Sequence, residues 1–187
     1  MSELIKNIMN DPKKWVLENK AMVAIVVGCV IAFIVLLVVL FTPSVPKFKT
    51  VKLSFPSDYG QCLHIAEIEI KDKDNNKIVL ADSMIKMSSV YTGDGIDMSS
   101  KKMIDNDNNT IAHTQCGKGE SITITFPTSQ SISEIKIVNR QNANSVRIVN
   151  STLSLQEEGK TPIEFKIVRD QPVYIFKHKD NVLSLQA

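Results

Sequence analysis

Residues 21–41 form an unbroken run without a charged side chain and without Asn, Gln or Pro. As a helix rising about 1.5 Å per residue, a run of this length reaches roughly 31 Å, matching a hydrocarbon core of about 30 Å. A helix buried in a soluble protein keeps a polar face, and this run has none. A cleaved signal peptide would show a shorter apolar core, about 7 to 15 residues, followed by small residues. Here the run ends in Leu40-Phe41-Thr42-Pro43 and is preceded by a polar stretch. The expectation is a retained single-pass transmembrane helix over 21–41. No second run of this kind exists in these 187 residues, so a multi-pass architecture is not expected.

The flanks bear on orientation. Lys6, Lys13, Lys14 and Lys20 precede the span, and Lys47, Lys49 and Lys52 follow it. The excess is one lysine, but Lys13, Lys14 and Lys20 crowd the membrane end, so the positive-inside rule leans towards the N-terminus inside. Residues 1–20 read as a short, helical tail. Leu4, Ile5, Ile8 and Met9 share one helical face, and Asp11-Pro12 reads as an N-cap with Pro at the first helical position. Residues 42–49, with Pro43 and Pro46, read as a spacer that stops the helix.

Beyond the spacer the helical period gives way to alternation. Ile68 and Ile70 alternate with Glu67 and Glu69; Ile122, Ile124 and Phe126 with Thr123 and Thr125; Ile135 and Ile137 flank Lys136. Val146 with Ile148, Leu153 with Leu155, Ile163 with Phe165 and Ile167, and Val173 with Ile175 repeat the pattern. Turn-forming clusters such as 72–76, 105–109 and 157–159 separate these runs. Seven or eight short strands predict an all-β antiparallel sandwich of jelly-roll type over 50–178, one face of each sheet buried and one wet. Residues 179–187 read as a C-terminal tail.

The chain carries 22 Lys+Arg against 20 Asp+Glu, a balance that gives no support to nucleic-acid binding. No nucleophile elbow, phosphate loop or zinc-helix motif occurs, so no enzymatic activity is expected. Cys62 and Cys116, 54 residues apart in the β region, are either one disulfide or two buried thiols. Neither belongs to a zinc-type pair. His64 and His178 read as structural.

One segment carries a family signature. Ile111-Ala112-His113-Thr114 is followed by a Gly-bounded strand, then by Ile135-Lys136-Ile137-Val138-Asn139-Arg140, then by Gln141-Asn142-Ala143-Asn144-Ser145-Val146-Arg147-Ile148. Over about residues 60–156 this order resembles the discoidin, or coagulation factor 5/8 type C, family with its galactose-binding-like jelly roll. Fucose-binding lectins of that family use a His, an Arg 27 positions on, an Asp two beyond and an Arg or Lys five beyond that. His113, Arg140 and Arg147 stand at those spacings, and they include two of only three arginines in the chain. Guanidinium forks and an imidazole suit the ring oxygens and hydroxyls of a sugar. Asn142 stands where the lectins have the Asp, and Ala143-Asn144 replaces their stacking cysteine pair. The bland alternative is that Arg140 and Arg147 brace a strand and a turn.

The family also implies calcium in the loop before the His-Thr pair. Asp105 and Asp107, with Asn106, Asn108 and Asn109, offer hard oxygen donors, though a solvated turn fits the same residues. No other cofactor is expected. Two functions follow. One is a membrane-anchored binding module that recognises a carbohydrate or glycoconjugate in attachment. The other is a non-enzymatic structural protein that links a membrane to a protein layer, as at a cell surface or in a virion.

Overall fold

The computed structural model describes residues 11–41, 46–179 and 182–186. The expected helical face over residues 4–9 and residues 42–45 of the Pro-containing spacer lie outside them. Two compact units result, divided near residue 44.

The first unit is helical. α1 (Pro12–Glu18) starts as its sequence dictates: the Asp11 carboxylate accepts from the Lys14 amide at 3.0 Å, and Pro12 occupies the first turn. Asn19 closes it by donating from both its backbone and its side chain to the Trp15 carbonyl. α2 (Lys20–Phe41) follows at once, 22 residues long, or roughly 33 Å. Leucine, isoleucine and valine surround it on every side, and none of its side chains from 20 to 37 is buried. It is long and apolar enough to cross a membrane.

The second unit is all-β, with ten strands among the described residues. β1 (Phe48–Ser54), β3 (Ile85–Met87), β5 (Ser121–Gln130), β7 (Thr152–Gln156) and β8 (Ile163–Lys166) form one sheet in the order β3-β5-β1-β7-β8. β2 (His64–Asp72), β4 (Ala112–His113), β6 (Ile132–Asn139), β9 (Val173–Lys179) and β10 (Val182–Gln186) form the other in the order β10-β9-β6-β2-β4. Every pairing is antiparallel. The inward positions of both sheets meet in one core. Val51, Leu53, Ile122, Ile124 and Leu153 face Ile65, Ile68 and Ile137 across a residual void of about 10 Å³. A void that small is close packing.

A bulge makes β2 fit. Ile65 pairs with Asn139 and Glu67 with Val138, so Ala66 is an extra residue with no partner of its own on β6. Strict alternation would send Ile65 and Ile68 to opposite faces; the bulge brings both into the core with Ile70. Glu67, expected on the wet face, is instead covered. Its carboxylate accepts from the Asn106 amide at 3.1 Å, and burial pushes its pKa up.

Four expectations need correction. In β9 the core face is Tyr174 and Phe176 rather than Val173 and Ile175, because the aromatic side chains fill the core and Val173 faces water. β1 starts at Phe48, within the expected spacer, because Phe48 is a core residue with no exposed surface. Val146 and Ile148 belong to a single 3₁₀ turn, Ser145–Ile148, rather than a strand; only Ile148 is buried, and Val146 faces water. Residues 182–186, expected within the tail, form β10. Leu183 lies opposite His178 in register and joins the core, whereas Val182 is exposed.

This placement of β10 predicts an asymmetry between neighbours. Leu183→Ala should cost the β unit about 2 kcal/mol in urea unfolding, and Val182→Ala less than about 0.5. Equal, negligible effects would return the segment to a tail.

Candidate functional site

One end of the second sheet gathers the polar side chains. His64 opens β2 and His113 closes β4, and the two are direct register partners. Their ring centroids lie 3.9 Å apart, and Tyr91 stacks on the far partner, His113, at 4.6 Å. Both imidazoles are buried. The His113 Nδ1 meets the Thr114 carbonyl, so this nitrogen carries the proton. Thr114 in turn locks β4 to β2: its hydroxyl accepts from the Leu63 amide at 2.9 Å, and its amide donates to the Leu63 carbonyl at 3.1 Å.

Arg140 and Arg147 reach the same place from different elements. Arg140 follows β6, and its Nη1 lies 3.5 Å from the His64 Nδ1. A guanidinium only donates, so Nδ1 accepts and the proton of His64 sits on Nε2. That Nε2 is buried and has no hydrogen-bond partner. Arg147 belongs to the 3₁₀ turn, and its Nη1 lies 3.6 Å from the Cys62 sulfur. Cys62 is bridged to Cys116, with Cα atoms 4.2 Å apart. The bridge ties the start of β2 to the loop after β4. That loop is fixed from its other side. The buried Glu120 carboxylate accepts from the Ser88 and Ser89 hydroxyls, and the Ser89 hydroxyl accepts from the Gln115 amide.

Asn139, fully buried at the end of β6, sets where both arginines stand. Its Nδ2 points at the carbonyls of Ser145 (3.0 Å) and Gln171 (3.1 Å) and at the Asp170 carboxylate (3.1 Å). Its Oδ1 accepts from the Arg140 amide at 2.9 Å. One carboxamide thus joins β6, the Arg147 turn and the 170–172 loop. Tyr174 pins that loop from below, donating to the Arg169 carbonyl and accepting from the Gln171 amide, each at 2.9 Å.

Of the residues singled out from sequence, His113, Arg140 and Arg147 converge. Asn142 does not join them by hydrogen bond. It is exposed, and its side chain accepts from the Asn144 amide at 3.1 Å, capping its own turn. It lines a surface groove of about 230 Å³ with Arg140, Gln141, Asn108, Asn109 and Ile111. His64, read as structural, stands at the centre of the cluster. No sequence signal could have found it, because only the β2–β4 pairing brings it to His113. Tyr91 was missed for the same reason.

The expected calcium loop uses its carboxylates internally. Asp105 accepts from the Asp107 amide and the Thr110 hydroxyl, and Asp107 from the Asn109 amide and side chain. Lys102 is an ion-pair partner of Asp105 at 3.6 Å. The one tight grouping of three metal-capable side chains among the described residues is Cys62, His64 and His113, with donor atoms within 4.8 Å. The Cys62 sulfur is already bridged, and two guanidinia stand beside it, so a cation is repelled there.

The local field is positive. Burial, then His113, Arg140 and Arg147, push the His64 pKa down to about 3. Burial also pushes His113 down, against the pull of its Thr114 hydrogen bond. Comparison of the chain with family models, with curated proteins and with solved structures gives no match.

The field sets a pH dependence. Above about pH 6.5 His64 is neutral folded and unfolded, and contributes nothing to linkage. Below it the unfolded chain takes up a proton that the folded state refuses, so stability falls as pH drops towards 3. Between pH 7.5 and 5.5, where most carboxylates stay ionised, urea unfolding of the β unit should lose about 1 kcal/mol. His64→Gln should remove at least half of that loss. A wild type equally stable at both pH values would refute the buried, neutral imidazole.

Proposed function

We propose that this chain is a single-pass membrane protein whose β unit, a discoidin-like jelly roll, binds a carbohydrate or glycoconjugate in attachment. The observation that carries the reading is the convergence of Arg140 and Arg147, from separate elements, beside His64 and His113 at one end of a sheet. Two half-buried guanidinia present forked donors there, the chemistry that grips sugar oxygens. His113 acts from behind: buried between Tyr91 and His64, it holds the cluster's shape rather than touching ligand. The 22-residue helix α2, free of charge from Ala21 to Phe41, supplies the anchor.

A second reading has its own support. Tyr91 closes over His113, so the lectin-like triad does not line one open pocket. The alternative is a structural protein that ties a membrane to a protein layer through the sandwich surface, with Arg140 and Arg147 as braces.

A single sugar bound by two arginines without a stacking face should be weak, about millimolar or −4 kcal/mol. Many copies in one membrane would raise avidity without new contacts. Residues 47–187 displayed multivalently on a glycan array should therefore bind selected glycans. Arg140→Ala and Arg147→Ala should each abolish binding with the unfolding midpoint unchanged. Silence at every valency, or binding indifferent to both arginines, would leave the structural reading.

A further inference from the structure

The lack of a counter-charge at Arg140 and Arg147 narrows the ligand. Seven ion pairs occur among the described residues, and neither arginine is in any of them. Their observed side-chain contacts are an imidazole nitrogen at 3.5 Å and a disulfide sulfur at 3.6 Å, both weak acceptors at long range. Each guanidinium has five N–H donors, and half-burial removes part of the water that would otherwise serve them. Buried charge is ordinarily paired, and here no pairing carboxylate stands beside either arginine among the described residues. Position 142, adjacent to Arg140 on the groove, holds a neutral Asn whose oxygen is turned to its own loop.

The neighbouring groups point the same way. The buried Nε2–H of His64 is a further donor without an acceptor. Burial is the first cause that keeps His64 neutral, and His113 and then the positive potential of Arg140 and Arg147 add to it. A neutral sugar hydroxyl would leave that potential standing. An anionic oxygen would neutralise it and accept charge-assisted bonds, roughly twice as strong as neutral ones.

Resting on the glycan-binding reading above, we propose that the ligand carries an anionic substituent, a sulfate or carboxylate on the saccharide, seated between Arg140 and Arg147. The chain supplies two cations and the ligand supplies the counter-charge. Recognition is then selective for acidic glycans over their neutral parents. Asn142 is a specificity residue, because a carboxylate at this position would compete with the ligand's own.

The test uses the full-length chain in neutral-lipid nanodiscs against a glycan panel in matched sets: a neutral glycan, its sulfated form and its sialylated form. Phosphatidylserine vesicles form a separate arm. Acidic members should bind about tenfold or more tighter than their neutral parents, and the difference should shrink with salt. Arg140→Gln and Arg147→Gln should each remove it. Arg147→Lys, which keeps the charge and loses the fork, should retain part of it. Asn142→Asp, exposed and able to keep the Asn144 cap, should weaken acidic members severalfold while sparing neutral ones. Unfolding midpoints of all four variants separate misfolding from loss of binding. Neutral parents bound as tightly as acidic forms would overturn this proposal and leave the glycan reading standing. No glycan bound, neutral or acidic, would overturn both. Binding to phosphatidylserine vesicles alone would overturn it in favour of a lipid headgroup.

Discussion

The carboxamide of Asn139 is the joint on which the polar end of the sandwich depends. It is buried where β6 ends, and it meets the Arg140 amide, the Ser145 carbonyl, the Gln171 carbonyl and the Asp170 carboxylate. No apolar residue of similar size supplies both the donors and the acceptor, and each group left bare would cost about 1–3 kcal/mol. The arginine turn is held through Ser145, whose hydroxyl also donates to Asp170 at 2.6 Å. Tyr174, rooted in the core, steadies the loop that carries Asp170. The reach of Arg147 towards Cys62 is therefore set by contacts that run back into the hydrophobic core, which is how a surface loop acquires a fixed geometry.

A second constraint is the Ala66 bulge. By absorbing one residue it lets β2 keep Ile65, Ile68 and Ile70 in the core while His64 still meets His113 across the β2–β4 pair. The disulfide then fixes Cys62 two residues before His64, and Thr114 closes the same corner by hydrogen bonds in both directions. The site is thus a by-product of how one strand reconciles its hydrophobic phase with its neighbours.

Much of this was legible from residues alone, for physical reasons. The apolar run in α2 is a composition signal that needs no partner. Asp11-Pro12 is a local capping signal, and the structure realises it atom for atom. β5, β6, β7 and β8 show period-two alternation because each has one face in the core; β9 alternates too, but its aromatic face, Tyr174 and Phe176, is the buried one and not Val173 and Ile175. The failures were non-local or ambiguous. Val146 and Ile148 alternate, yet two apolar residues spaced by two fit a 3₁₀ turn equally well. β10 carries Leu183 and Leu185, too short a pattern to distinguish from a tail until β9 offers an edge. His64 and Tyr91 carry no motif, and only strand pairing and ring stacking bring them to His113. The Arg140 and Arg147 spacing was visible, and so was the Asn at 142 in place of the lectins' Asp; that neither arginine finds another ion-pair partner among the described residues was not.

The central claim is that two guanidinia without an ion-pair partner among the described residues and two buried imidazoles, both pushed towards the neutral form, share one corner of the fold. Imidazole ¹⁵N shifts of the β unit, recorded at pH 7.5 and 5.5, read this directly. The account predicts that His64 remains neutral at pH 5.5 with its proton on Nε2, and that His113, protonated on Nδ1 when neutral, gains its second proton only below the ordinary imidazole range. Ordinary titration of both rings near pH 6.5, or a single shared tautomer, would contradict it.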